Sequence, residues 1–489
     1  MRGGRNGSKS NGRSAANVVL LIAALAAPGC GDDEGPKHAT RRDAGSEKDA
    51  SPDGQVEPGD RDASQSTKDG AAEDEDGGSA GRSGTGGKGS SGSGGTGGSG
   101  GSQPTKPDPD RCKVSEDDNS WSTTAGLSNA SQYSLTTGTT GFGVAFEDVM
   151  ACKNIKVMPV QASGDFSVPQ PQLSDDCSTI QDVSLLHVAT GWRMVWVDNS
   201  AGTADLQSMV LSEDMSMIVG EMRTRLTNSL LVEQRPVLAS LGGTPFVAFT
   251  AKDGETGKLR ISTRGMDAQA SLNDVLPESA ERKPVNLAFR QIGNMNAVVA
   301  WTDETGSETR GVWVQRTDLT ATKVGDPVLV SDLAPAGATV DLAARDAENE
   351  GGAIVYTSGV DAAPEVRFRR LSATGEVLAD EIKVVSGTLQ GRDASMARLG
   401  GGYVIAYRAL PGGPITEGEL RITFVSKEGT VMRDAAGTLI SYKIGTAGAG
   451  GGRTTLRVSN DGQLLVGLVD TDGTGTQIRL VRKRLDCTL

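Results

Sequence analysis

Residues 296–303 read NAVVAWTD, an almost unbroken apolar run that closes on an aromatic residue and an aspartate. The phrase returns as GWRMVWVD at 191–198, GGAIVYTS at 351–358 and GGYVIAYR at 401–408. Aligned on its last large apolar residue, it falls at Phe146, Trp196, Phe249, Trp301, Tyr356, Tyr407 and Leu468. The steps run from 50 to 61 residues. A fixed period of this size belongs to repeat architectures, in which one unit cannot bury its own faces and stacks on its neighbours.

Each copy has the same surroundings. A short alternating segment precedes it, such as VSLLHV, PVLASL or ASMARL, followed by a turn that usually holds glycine. After the phrase come a loop of varied length, a third segment such as EVRFRRLS, a turn such as SATGE, and a fourth segment such as DPVLVSD. Short runs bounded by turn residues are strands, and nothing in this region sustains a helical period. The unit is a four-stranded antiparallel meander. Repeated around a ring, such units bury their faces on one another, which makes the fold all-β, a seven-bladed β-propeller. The phrase is apolar throughout because the second strand of a blade is covered on both sides. The aromatics are expected in the core rather than on a ligand platform.

Closure of the ring gives a separate expectation. After the seventh phrase the chain supplies a third strand, QIRLVRKRL, and then ends, so the seventh blade lacks a fourth. The extended piece NSWSTT at 119–124 precedes the first blade and has no other place. Set beside the last strand, it would complete the final blade and leave no open edge. Four cysteines follow residue 30, and four permit three pairings. The closure geometry selects Cys112 with Cys487 and leaves Cys152 with Cys177 across one hairpin pair of blade one. The competing reading is free or mispaired thiols.

The chain before the repeats is of another kind. Arg2, Arg5, Lys9 and Arg13 precede the run VVLLIAALAA at 18–27, which is too short to span a bilayer and reads as an export signal. The run leads into AAPGC. Small residues before Cys30 resemble the lipobox of bacterial lipoproteins, although Ala27 stands where that family usually has leucine. The resemblance implies cleavage after Gly29 and lipidation of Cys30; the plainer alternative is an ordinary signal with a stray cysteine. Residues 31–76 are charged and poor in large apolar side chains, and fourteen of the twenty-five residues from 77 to 101 are glycine. Such a chain cannot offset its ordering entropy, so a disordered tether is expected. The organisation is therefore a signal at 1–29, a lipidated cysteine with its tether at 30–111, and the propeller at 112–489. This layout resembles bacterial envelope lipoproteins that carry a propeller on a glycine-rich tether. It implies an envelope location with the ectodomain in the periplasm or outside the cell, membrane attachment through the lipid alone, and an envelope protein or glycan as partner.

Charge narrows the partners. Setting aside four bases in the leader, and seventeen acids and ten bases in the tether, turns the total of −13 into −10 for residues 112–489. An acidic ectodomain argues against nucleic acid, whose binding needs clustered Lys and Arg. Motifs for catalysis are missing. His38 lies in the tether, and His187 lies alone in a predicted strand, where a satisfied polar side chain is expected. There is no HExxH, no Cys/His zinc spacing and no phosphate-cradling glycine loop before a helix. The WD dipeptide of WD40 repeats and the Ser-x-Asp-x-Gly-x-x-Trp box of sialidase-type propellers are also absent, and no cofactor is expected.

One pattern recurs. Asp148, Asp198, Asp303 and Asp470 follow their phrases and start the loops between second and third strands. Variable loops on a rigid scaffold often carry binding, so these four mark a candidate ligand face. The plainer reading is that they cap turns and keep strand ends soluble. The stretch DTDGTG at 470–475 suggests calcium at Asp470 and Asp472, but it lacks the later acidic ligand of a calcium loop. The expected function is a non-catalytic binding or scaffold module. The alternative is a glycan-acting enzyme with two loop carboxylates on one face.

Overall fold

The computed structural model describes residues 112–115, 122–123, 132–148, 154–161 and 180–487, apart from 201, 221–222, 268, 280–281, 305–309, 345–350, 361–362, 386–388, 411–416, 449–451 and 472–475 within the last range. Cys30, Cys152, Cys177 and Asp472 lie outside the described residues.

The described chain is all strand and turn, arranged as a seven-bladed propeller. The inner strands are Tyr133–Thr137, Ile180–Val188, Leu231–Leu241, Pro284–Ile292, Val340–Ala344, Gln390–Leu399 and Thr454–Val458. Each touches the next, and the last touches the first. Outside each lies a second strand that carries the phrase, as in Gly141–Asp148, Asn296–Asp303 or Gly402–Leu410. Third strands follow, and outer strands are described for blades two to seven. All pairings within the blades are antiparallel.

Packing explains the phrase. Every residue of Gly141–Asp148 and of Gly402–Leu410 is buried, on both faces of the sheet. The aromatic of one blade packs onto the blade before it. Trp301 of blade four is buried with Ala239, Ala248 and Ile261 of blade three. Tyr356 of blade five is buried with Val298, Ala300 and Val312 of blade four. Phe146 of blade one is buried with Leu465, Ile478 and Leu480 of blade seven, so the same contact closes the ring. Fully burying an aliphatic or phenyl side chain contributes about 1.5–3 kcal/mol, and the phrases concentrate that gain at the blade interfaces.

The closing blade is completed from the other end of the chain. Cys112–Val114 pairs with Leu485–Cys487, and Ser122–Thr123 pairs with Leu480–Val481. The borrowed outer edge thus begins at Cys112, seven residues earlier than the piece at 119–124. Cys112 lies opposite Cys487 in register, and the two are joined by a disulfide.

Where blade seven meets blade one, Gly467 makes the fit. A Cβ added there would lie 2.5 Å from the Tyr133 ring. Overpacking a well-filled core costs about 1–3 kcal/mol. Gly467→Ala should therefore lower the urea midpoint by an amount in that range, and Tyr133→Leu in the same chain should recover part of it.

Candidate functional site: the axial channel

The seven inner strands surround a channel, and their polar residues build it in two layers. The first is a belt that ties blade to blade. Ser134, Ser184, Asp341 and Ser395 occupy one position, each opposite the residue before the phrase aromatic. Each takes a backbone N–H from the next blade: Leu185 at 2.9 Å, Leu238 at 3.0 Å, Met396 at 3.1 Å and Leu456 at 2.9 Å. Val237 and Ala288 hold the same place in blades three and four. The belt satisfies donors that a channel-facing strand would otherwise leave open.

The second layer is a repeated β-bulge. The inner-to-second-strand register slips between Gln181 and Ser184, Gln234 and Val237, Val285 and Ala288, and Arg392 and Ser395. In each slip one residue is left-handed: Asp182 (φ 54°), Arg235 (φ 55°), Asn286 (φ 51°) and Asp393 (φ 55°). A left-handed L-residue costs about 1–2 kcal/mol, least for Asn and Asp. None of the four is glycine, so each keeps a polar side chain where glycine would remove the strain. Bulges re-aim side chains and gather at functional rims. Two of the bulge amides are capped from the preceding blade. Asp182 N–H donates to Glu147 Oε1 at 2.6 Å, and Arg235 N–H donates to Asp182 Oδ2 at 2.9 Å.

Three cavities follow one another along the axis. The upper mouth shares its face with the loops between second and third strands. It encloses about 300 Å³ beside Asp182, Arg235, Asn286 and Arg453. A waist of about 60 Å³ lies at the belt. The lower mouth, ringed by turns between first and second strands, encloses about 420 Å³. At the waist the Tyr133 hydroxyl donates to the Arg453 carbonyl at 3.1 Å, and burial pushes that phenol well above its ordinary pKa.

The four aspartates of the sequence pattern are at the upper strand ends, and each is engaged within its own blade. Asp148 pairs with Lys156, Asp198 with Arg223 at 3.6 Å and Asp470 with Arg479 at 2.9 Å. Asp303 accepts the Lys283 N–H at 2.8 Å. All four are buried, and none lines the three axial cavities. Among the described residues no group of three or more His, Cys, Asp or Glu is placed to hold a metal. His187 Nε2 meets both Glu213 carboxylate oxygens, at 2.9 and 2.8 Å, and its ring packs edge-on against Trp192. It is the satisfied polar side chain that its strand position suggests.

No protein-family model matches the sequence, and no curated protein matches it either. Among solved structures, the chain is similar to a phage phi92 endosialidase, at 10% identity over 73% of this chain and 67% of that one, with a TM-score of 0.42. It is similar to a prolyl endopeptidase at 12% identity over 73% of this chain, with a TM-score of 0.41. The chain spans about half that enzyme's length, 48%. TolB from Acinetobacter baumannii matches at 9% identity over 71% of this chain and 78% of its own, with a TM-score of 0.32. No site is carried over from any of them.

Glycan hydrolysis by two carboxylates needs both acids at one open site. Among the described residues the lower mouth is lined by no carboxylate, the waist by Asp341 alone and the upper mouth by Asp182 alone. A close acid pair exists elsewhere. Glu233 is held above its ordinary pKa by burial and by the charge of Asp205, against the lowering pull of Thr227 and Ser229. Both acids are 2% exposed, Arg225 pairs with Asp205, and no axial cavity reaches either. The pair is a buried network.

Sequence reading did not find the bulges or the channel. The bulge inserts one residue that breaks the period of two, and its identity changes from Asp to Arg to Asn. The available signal was the polar residue standing just before each apolar inner segment, as in QDVS, QRPV and GRDAS.

Proposed function

We propose that this protein is a lipid-anchored envelope protein, attached through Cys30, whose propeller is a non-catalytic binding module for a polar ligand of an envelope protein or glycan. The ligand enters the upper mouth of the axial channel. The observation that supports this reading is the left-handed bulge kept in four blades with a polar side chain. It places Asp182, Arg235 and Asn286 of three successive blades beside one cavity. Local strain retained at a rim is a mark of function. Mixed charge at that mouth suits a ligand with both donors and acceptors.

Two measurements test the proposal. Cys30→Ser should move the protein from the membrane to the soluble fraction; unchanged membrane retention removes the anchor. Arg235→Gly relieves the left-handed strain at an exposed position, so thermal stability should stay at or above wild type. Binding to envelope glycans and peptides, scored on an array with the full chain in detergent, should fall about tenfold, the equivalent of a lost charged contact. Equal binding by the variant would overturn the upper-mouth assignment. Release of cleaved glycan by the wild type would favour the enzyme.

A further inference from the structure

The lower mouth has a chemistry that the upper mouth does not share. Three guanidinium side chains from three blades line it: Arg290 of blade four, Arg398 of blade six and Arg457 of blade seven. Among the described residues no carboxylate lines it, although residues 112–489 carry a net −10. Thr137, Ser459 and Asn460 complete its polar wall, and Leu342 and Met396 contribute apolar surface. Its volume of about 420 Å³ lies in the range of small-ligand sites rather than of a bare ion.

The three arginines are held differently. Arg398 is anchored by Nε and Nη2 on the Gly400 carbonyl, at 3.2 and 3.3 Å. Arg457 donates to its neighbour's carbonyl, Leu456 O, at 2.6 Å and stands 3.8 Å from the Asp341 carboxylate, with 18% of its side chain exposed. That carboxylate already accepts Ser395 Oγ and the amides of Leu342 and Met396. Arg290 is half-buried and makes no hydrogen bond or ion pair among the described residues. Burial, and the charges of Arg290 and Arg453 against the counter-pull of Asp341 and Tyr133, press the Arg457 guanidinium down to about 10. Cations gathered in a channel repel one another more strongly than they would in bulk water, and the carboxylate nearest them, Asp341, is already hydrogen-bonded. Such a cluster is relieved when an anion arrives, and planar guanidinium forks match phosphate and carboxylate oxygens.

We infer that the lower mouth is a binding site for a phosphate or sulfate ester carried on a small polar body such as a sugar, held by Arg290 and Arg457 with Arg398 at the rim. A tetrahedral oxyanion offers three oxygens to the guanidinium forks where a carboxylate offers two, and a phosphate ester adds a second charge that a sulfate ester lacks. The hydroxyl and amide wall, with its apolar patch, suits a sugar ring. This site is opposite the upper mouth and does not depend on the function proposed for it.

Calorimetric titration of the full chain in detergent tests the inference, with glucose 6-phosphate, glucose 6-sulfate, inorganic phosphate, glucose and acetate as probes. The two esters should bind and raise the thermal midpoint, inorganic phosphate should bind more weakly, and glucose and acetate should not register. Arg290→Gln should weaken ester binding by about tenfold or more, as expected for a charged hydrogen-bond donor. It should also raise the midpoint of the ligand-free protein, because it removes repulsion. A merely structural arginine would lower that midpoint. Arg235→Gly should leave ester binding unchanged, so failure of the upper mouth and of the lower mouth can be told apart. No ester-dependent shift in the wild type, an equal shift in Arg290→Gln, or acetate binding as tightly as the esters would overturn the inference.

Discussion

Serine at both Cys112 and Cys487 lowers the unfolding free energy by about 4–5 kcal/mol, the upper end of what a single disulfide contributes. The bond spans 375 residues of sequence, so it limits how far the two ends of the propeller can separate when unfolded. In the folded state little changes. Cys112–Val114 still pairs with Leu485–Cys487, and Cys112 stays buried in the apolar cluster that holds Leu485. The loss should therefore appear as a lower urea midpoint with native strand content by circular dichroism. The double variant is the right probe because a single one leaves a reactive thiol. An unchanged midpoint would mean that the unfolded chain already keeps its ends together.

The second large effect is expected at Arg408. Its side chain is 2% exposed, among the largest fully buried side chains of the protein, and its Nε lies 3.4 Å from Asp393 Oδ2. Its Nη2 also reaches the Val469 carbonyl of blade seven at 3.5 Å. Arg408→Ala strands a buried carboxylate and should cost about 3–5 kcal/mol. Asp393→Asn in the same chain should return part of that, since an amide tolerates the left-handed backbone and carries no charge.

The pair also fixes a pH dependence. Burial raises the Asp393 carboxyl to about 6, against the lowering pull of Arg408 and Arg392. The unfolded value is near 3.9. The folded protein thus holds this proton more tightly than the unfolded one. Its stabilising contribution is full below about pH 4 and is lost as pH rises through about 6. Wild type should lose stability from this group between those values, and Asp393→Asn should flatten the slope. Arg408→Ala removes an attraction for the ionised form and should steepen it, which urea midpoints at pH 4, 5 and 7 would read directly.

How much of this was legible in the sequence depended on whether position within the repeat carried the information. The phrase aromatics were legible because each copy meets the same two-sided burial, from Phe146 to Leu468. The Cys112–Cys487 bond was legible because a missing strand at one end matched a spare segment at the other. Its start at Cys112 was not, since nothing marks CKV as strand against NSWSTT. The aspartates at 148, 198, 303 and 470 stood out by position, but a sequence does not show that Lys156, Arg223 or Arg479 already meets them. The lower mouth was hidden for the opposite reason. Arg290, Arg398 and Arg457 come from blades four, six and seven, share no motif, and meet only because the ring curves back on itself.

The edge that joins Cys112 to Cys487 has a consequence for the order of the parts. With its first and last described strands side by side in one sheet, the propeller is close to a covalent circle. Any loop between one blade's outer strand and the next blade's inner strand is then an equally valid place to begin translation, provided a short peptide replaces the bridge. The order in which the gene presents the blades is one choice among several, and a protease that cuts a single such loop yields a rearranged chain from which no piece departs.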